Sequence, residues 1–232
     1  MLNENVKQWL RERHPALIPA GGAVAGTIEF TASYNRESNR FLILGDGVTK
    51  QTGGIALSGA FEIRIEERTD KSVSRLPALH VEGVDATPGR HFNQQDKSAC
   101  LCSPFDEDEF LQPDLQFRSF IEQLVMPFLY GQMFYSSHGH WPWAEYAHGA
   151  TGILEAYCKV CAQNRAEECL QKLRQDVSWP RIQAALRQRP YIKGHTPCFC
   201  SKMDQIRRCH PMALEGALRL QQDLRALESS KP

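Results

Sequence analysis

The stretch AVAGTIEFTASY, residues 23–34, alternates in character and is rich in β-forming side chains. A period of two marks a strand with one face buried. RFLIL (40–44) and AFEIRIE (60–66) repeat the pattern, with the turn signals GDG, TGG and SG between the three runs. They read as three antiparallel strands of a meander, and LPALHVE (76–82) supplies a fourth.

Working outward, Val6, Trp9 and Leu10 with the stop at Pro15 predict a first helix over 3–14. Downstream, residues 83–104 follow neither period and are dense in Gly, Pro, Asp, Asn and Ser, the composition of a functional loop. Helical spacing returns at Asp114, where Leu115, Phe117, Phe120, Ile121, Leu124, Val125 and Phe128 make one apolar face up to Tyr135, with a kink expected at Pro127. Further helices are predicted over 152–160, 166–175, 179–188 and 212–227. The fold class is α+β.

The 232 residues and 42% apolar content suffice for a packed core. The first fifteen residues are charged and amphipathic, and the apolar run 124–130 is too short to span a bilayer, so the chain is expected to be cytoplasmic, with no membrane partner. In that reducing setting the eight cysteines are metal ligands, nucleophiles or buried apolar groups before they are disulfides. The net charge of zero hides an asymmetry: residues 1–150 carry 13 Lys+Arg against 19 Asp+Glu, and 151–232 carry 14 against 8. A basic tail suits nucleic acid, yet a partner protein or the acidic half satisfies it equally well, and nucleic acid is not the favoured partner.

Two cysteine segments carry chemistry. In TPCFCSKMDQIRRCHP, residues 196–211, Cys198 and Cys200 are followed after eight residues by Cys209 and His210. Two close pairs of soft ligands across a short loop suit a closed tetrahedral Zn2+ site with a structural role. The spacing resembles the SEC-C motif, a small zinc knuckle at the end of the bacterial secretion ATPase and of other bacterial proteins. The departure lies at Ser201, Lys202 and Met203, where that family usually has Gly-Ser-Gly; Lys202, Arg207 and Arg208 keep its basic character.

In RHFNQQDKSACLCSP, residues 90–104, the order of motifs resembles the ubiquitin-conjugating enzymes, in which a His-Pro-Asn tripeptide precedes a loop ending in a hydrophobic residue, the catalytic cysteine and Leu. Here His91, Phe92 and Asn93 stand for the tripeptide and Ala99, Cys100 and Leu101 for the loop end. Phe92 replaces the proline, and the loop is about one residue shorter than usual. GHWPWAEYAHGATGILEAY, residues 139–157, looks like the pattern of bacterial relatives encoded in anti-phage defence operons. The resemblance covers about two thirds of the chain. It implies a ubiquitin-conjugating-like catalytic domain over 1–150, a helical extension over 151–195, and the zinc knuckle with a terminal helix over 196–232.

The resemblance implies roles residue by residue. Cys100 takes an acyl group as a thioester and presents it to an amine. Asn93 offers an amide to the oxyanion, worth about 3 kcal/mol where such donors are preorganised. His91 holds the loop, and His148, rather than His138 or His140, is the candidate base for the incoming amine. The donor is a ubiquitin-like modifier or the C-terminus of a cyclic-oligonucleotide synthase, and the acceptor is a protein target. Because the Gly45-Asp46-Gly47 and Gly53-Gly54 turns lack the Lys-Ser/Thr of a phosphate loop, activation is expected on a separate activating enzyme.

Cys102 could be a resolving thiol, a regulatory switch or filler, with filler ranked first. Cys158, Cys161 and Cys169 are read as helix packing rather than a second metal site. The competing expectation is a conjugating-fold adaptor without catalysis, which docks partner proteins or nucleic acid through its basic zinc tail.

Overall fold

A computed structural model describes residues 3–45, 53–70, 74–110, 116–159 and 165–229. The Asp46-Gly47 turn, the Asp114–Leu115 start of the long helix and Cys161 lie outside them. The chain is mixed α+β and divides into two compact units: residues 1–102 with 106–145, and residues 103–105 with 146–232.

The first unit begins with α1 (Glu4–Arg13). Asn3 caps it by accepting the Val6 N–H at 3.0 Å, Glu4 and the pair Arg11 and Arg13 complement its dipole, and Leu10 is fully buried. Five strands follow: β1 (Leu17–Ala20), β2 (Ala23–Asn35), β3 (Arg40–Leu44), β4 (Ile55–Glu66) and β5 (Ala78–Val81), all antiparallel. The spatial order is β1-β2-β4-β5, with β3 paired to β2 off that path.

That order corrects the expected meander. Its first strand is β1, hidden because Ala-Leu-Ile-Pro-Ala reads as a loop; Pro19 is tolerated since β1 is an edge strand with one side free of ladder bonds. The 40–44 strand lies beside the far end of β2, where Asn35 faces Arg40, and does not intervene between β2 and β4. Alternation fixes which face a residue takes but not which edge a strand chooses. β4, twelve residues long, runs along β2 from Val24↔Ile65 to Tyr34↔Ile55, a ladder that the five residues of β3 cannot match.

The core lies between one face of this sheet and the helical stretch 117–138. Ile28, Ile65 and Leu79 from the sheet meet Phe120, Ile121, Val125, Leu129 and Tyr130, each worth about 2 kcal/mol on burial. The stretch comprises α3 (Phe117–Phe120), a π-helical turn (Ile121–Val125) and α4 (Met126–His138). The expected kink at Pro127 is thus a widened turn just before it, with the proline in the first turn of α4 where its missing N–H costs nothing. Tyr130 ties α4 to β4 by donating to the Ile55 carbonyl at 2.6 Å.

The second unit is helical: α5 (Gly149–Lys159), α6 (Ala166–Arg174), α7 (Trp179–Leu186), α8 (Ile206–Cys209) and α9 (Pro211–Ser229). Leu154, Tyr157, Leu173, Ile182, Ala217 and Leu220 are fully or almost fully buried in its core. A Cβ at Gly216 would run into the Leu154 carbonyl, so glycine is what lets α9 lie against α5. Tyr157 donates to Asp223 at 2.6 Å inside that packing. Among the described residues no helix is long and apolar enough to cross a membrane.

Candidate functional site

The short helix α2 (Glu107–Phe110) follows the segment that carries Cys100, which is built as a hairpin. Phe92 and Ala99 face each other in an isolated antiparallel bridge. The Asn93 N–H donates to the Ser98 carbonyl at 2.8 Å, the Lys97 N–H to the Asn93 carbonyl at 3.1 Å, and the Cys100 N–H to the His91 carbonyl at 2.7 Å. Lys97 closes the turn in the left-handed region at φ 59°, a conformation that charged non-glycine residues adopt only where surrounding bonds hold it.

Three anchors fix the hairpin within the first unit. The Ala99 N–H donates to the Leu79 carbonyl of β5 at 2.7 Å. Phe92 packs edge to face on Phe128 of α4 at 5.4 Å. Arg90 and Gln132 of α4 exchange bonds: Arg90 Nε donates to the Gln132 side chain at 2.8 Å, and Gln132 Nε2 donates to the Arg90 carbonyl at 2.8 Å.

The hairpin leaves Cys100 exposed, with Sγ 3.9 Å from the Cys102 carbonyl oxygen. Exposure does not activate it. The protein packed around its inner side desolvates the thiolate and pushes the thiol up to about 11; Glu107 adds to the shift and Arg68 opposes it.

Asn93 lies in the hairpin, and its amide donates to Ser98 Oγ at 3.0 Å and to the Ala99 carbonyl at 3.5 Å. His91 sits at φ 57°, packs on Trp141 at 4.6 Å and places Nε2 2.8 Å from Glu145 Oε2. Burial lowers the imidazole pKa, so a neutral ring donating Nε2–H to the carboxylate satisfies both groups. His148 belongs to the second unit and is exposed, one residue before α5. His138 stacks on Phe134 at 4.1 Å with Nδ1 at the Phe134 carbonyl, the arrangement of a structural histidine.

The second cysteine segment is also a hairpin. Pro197 and Gln205 form an isolated antiparallel bridge, the Cys198 N–H donates to the Asp204 carbonyl at 2.7 Å, and α8 starts at once to carry Cys209 beside the first two thiols. Cys198 Sγ is 3.2 Å from His210 Nδ1, and Cys200 Sγ is 3.5 Å from Cys209 Sγ. All four ligand atoms lie within 4.8 Å of one another. A tetrahedral ion with bonds of about 2.0–2.3 Å spaces its ligands roughly 3.5–3.8 Å apart, so this Cys3His set could hold a metal ion.

Burial raises Cys198. For Cys200 burial also works upward, but Cys209 and the backbone N–H groups of Lys202 and Met203 outweigh it and hold the thiol below its ordinary value. Arg181 of α7 fixes the same turn by donating to the Cys198 and Phe199 carbonyls at 3.0 and 2.9 Å.

Cys102 is half-buried beside Cys100. Cys169 is fully buried in the second core, and Cys158 Sγ lies 3.7 Å from Glu215 Oε2. Sequence reading missed Arg68, Gln132 and Glu145, the first two outside any motif and the third unassigned within the 139–157 stretch; their partners lie 28, 42 and 54 positions away. No family model, curated protein or solved structure matches the chain.

Proposed function

We propose that the first unit is a ubiquitin-conjugating-like acyl transferase and that the second carries a structural Zn2+ knuckle. The observation that carries the reading is the setting of Cys100: an exposed thiol at the end of a pinned hairpin, directly after a β1-β2-β4-β5 meander and ahead of the long helical stretch. That succession of elements is the one the sequence resemblance implies, and it supports the conjugating fold.

In the proposed reaction a separate activating enzyme presents the donor's C-terminus as a thioester. Cys100 Sγ, deprotonated, attacks the carbonyl; the new C–S bond forms as the old one breaks, and the activating enzyme's thiolate leaves. An amine of the protein target then attacks, loses its proton to a general base, and expels the Cys100 thiolate as the amide forms. Asn93 faces the oxyanion in this scheme, which requires its amide to exchange Ser98 or Ala99 for the substrate. The donor is a ubiquitin-like modifier or the C-terminus of a cyclic-oligonucleotide synthase, in cytoplasmic anti-phage defence.

Cys198, Cys200, Cys209 and His210 would hold the zinc, whose part is to close a tail too poor in apolar residues to fold alone. A second reading, an adaptor that keeps the fold and docks partner proteins or nucleic acid through its basic zinc tail, is favoured by one observation: Lys202, Arg207 and Arg208 are all exposed around the ligand set.

Intact-mass measurement after co-expression with neighbouring genes separates the two. On the acyl-transferase reading the wild type carries a thiol-labile adduct, Cys100→Ser a stable ester and Cys100→Ala none. Absence of any adduct, or one that survives in Cys100→Ala, selects the adaptor.

A further inference from the structure

Arg68, two residues beyond β4 in the first unit, carries its charge on a side chain only 4% exposed. Its guanidinium reaches three acceptors. Nε donates to the Leu76 carbonyl at 3.3 Å, Nη1 to Asp96 Oδ2, and Nη2 to Ser98 Oγ at 2.8 Å. Asp96 Oδ1 in turn accepts from the Ser98 N–H at 3.0 Å and hydroxyl at 2.7 Å, while Ser98 Oγ accepts from Asn93. One side chain thus joins the β4–β5 connection to the tip of the hairpin that ends at Cys100.

A buried cation is costly unless it is paired and hydrogen-bonded, and a planar fork reaches three separated acceptors from three nitrogens, where an ammonium offers all its donors from one. We propose that Arg68, with Asp96 as its counter-ion, is the positioning residue of the thiol hairpin, setting the register in which Asn93 and Cys100 are presented. Its meaning for catalysis rests on the acyl-transferase reading; its effect on the hairpin does not.

The test uses the full chain with Arg68→Met, Arg68→Lys and Asp96→Asn, the last at a site one-third exposed. Two readouts are taken: hydrogen exchange of the 93–100 amides against those of β2 and β4, and the pH profile of Cys100 alkylation by iodoacetamide. Arg68→Met is expected to speed exchange in 93–100 at least about tenfold, the equivalent of losing one charged hydrogen bond, with β2 and β4 unmoved. It also moves the alkylation profile to higher pH, because the cation opposing Glu107 is gone. Arg68→Lys restores the profile but only part of the exchange protection, and Asp96→Asn speeds exchange in the same segment to a smaller extent.

Exchange in 93–100 that rises no more than in β2 and β4, or an alkylation profile that Arg68→Met leaves in place, overturns the proposal. Iodoacetamide needs no acyl donor, so a profile that shifts in a protein that never forms a thioester keeps the clasp and sinks the acyl-transferase reading instead.

Discussion

Two hairpins in this chain, one in each unit, are built alike and differ in where they send their sulfurs. Each is closed by a single antiparallel bridge, Phe92↔Ala99 in one and Pro197↔Gln205 in the other, and each is held by an arginine from a neighbouring segment, Arg68 or Arg181. In the second hairpin the helix α8 begins immediately and turns Cys209 and His210 back on Cys198 and Cys200, so four donors converge. In the first the chain runs on past Cys100, whose thiol stays exposed. Convergence favours a metal and isolation favours an incoming electrophile. On the proposed reading the same local device would serve two chemistries, decided by what the chain does in the next few residues.

The largest effect expected from this contrast is on the converging hairpin. Cys198→Ser, or removal of metal by a strong chelator, should cost at least about 4 kcal/mol in the second unit, the range of a lost structural metal, and leave the first unit unchanged. Metal content by elemental analysis and exchange of the 196–210 amides measure it. A chain that binds no metal, or one whose knuckle stays protected without it, would erase the difference between the hairpins.

A step down in size, Arg181→Ala removes two charged donors from the Cys198 and Phe199 carbonyls and should cost about 2 kcal/mol, read as weaker retention of metal in competition with a chelator. If metal retention is unaffected, the four ligands position themselves, and the likeness to Arg68 is one of appearance only.

The exposed hairpin is better probed by pH. Because the Cys100 thiol is raised to about 11, its alkylation should be slow at neutrality and climb roughly tenfold per pH unit up to that value. A raised thiol means that the folded state holds the proton more tightly than the unfolded one. Its contribution to stability is therefore complete below the ordinary cysteine value and lost as pH rises through about 11. A rate that levels off near pH 8 would show a thiol no different from a free one.

Much of this contrast was legible in the sequence, and unevenly. The 198–210 ligands announce themselves because all four lie within one short segment, where spacing alone limits geometry. Cys100 was legible only as a motif, since what defines it, a hydrogen bond from Ala99 to β5 and a buried cation, comes from residues distant in sequence. Arg68 reads as one more surface charge until its partners Asp96 and Ser98 fold over it. Likewise the period-two pattern gave the β2 strand, whereas β1 was lost because a proline in a four-residue edge strand looks like a loop. Side-chain patterns encode burial; which edges pair and which charges become enclosed depends on the whole unit.

The smallest expected effect lies at His91, the residue that leads into the exposed hairpin. Its pairing with Glu145 is about one-quarter exposed on both sides, so Glu145→Gln should cost at most about 1 kcal/mol. The informative readout is the imidazole itself, followed by proton NMR. Burial already lowers its pKa, and a carboxylate 2.8 Å away favours the protonated ring; removing that charge should lower the pKa further. A lowered histidine stabilises the folded state above its ordinary value, and that stability is lost as pH falls through the folded value. Acid should therefore loosen the 90–100 segment before it reaches β2 and β4, and Glu145→Gln should alter this response only slightly. An imidazole whose pKa rises in Glu145→Gln would mean that the neutral ring depends on the carboxylate, and that His91 is held for its proton rather than for its shape.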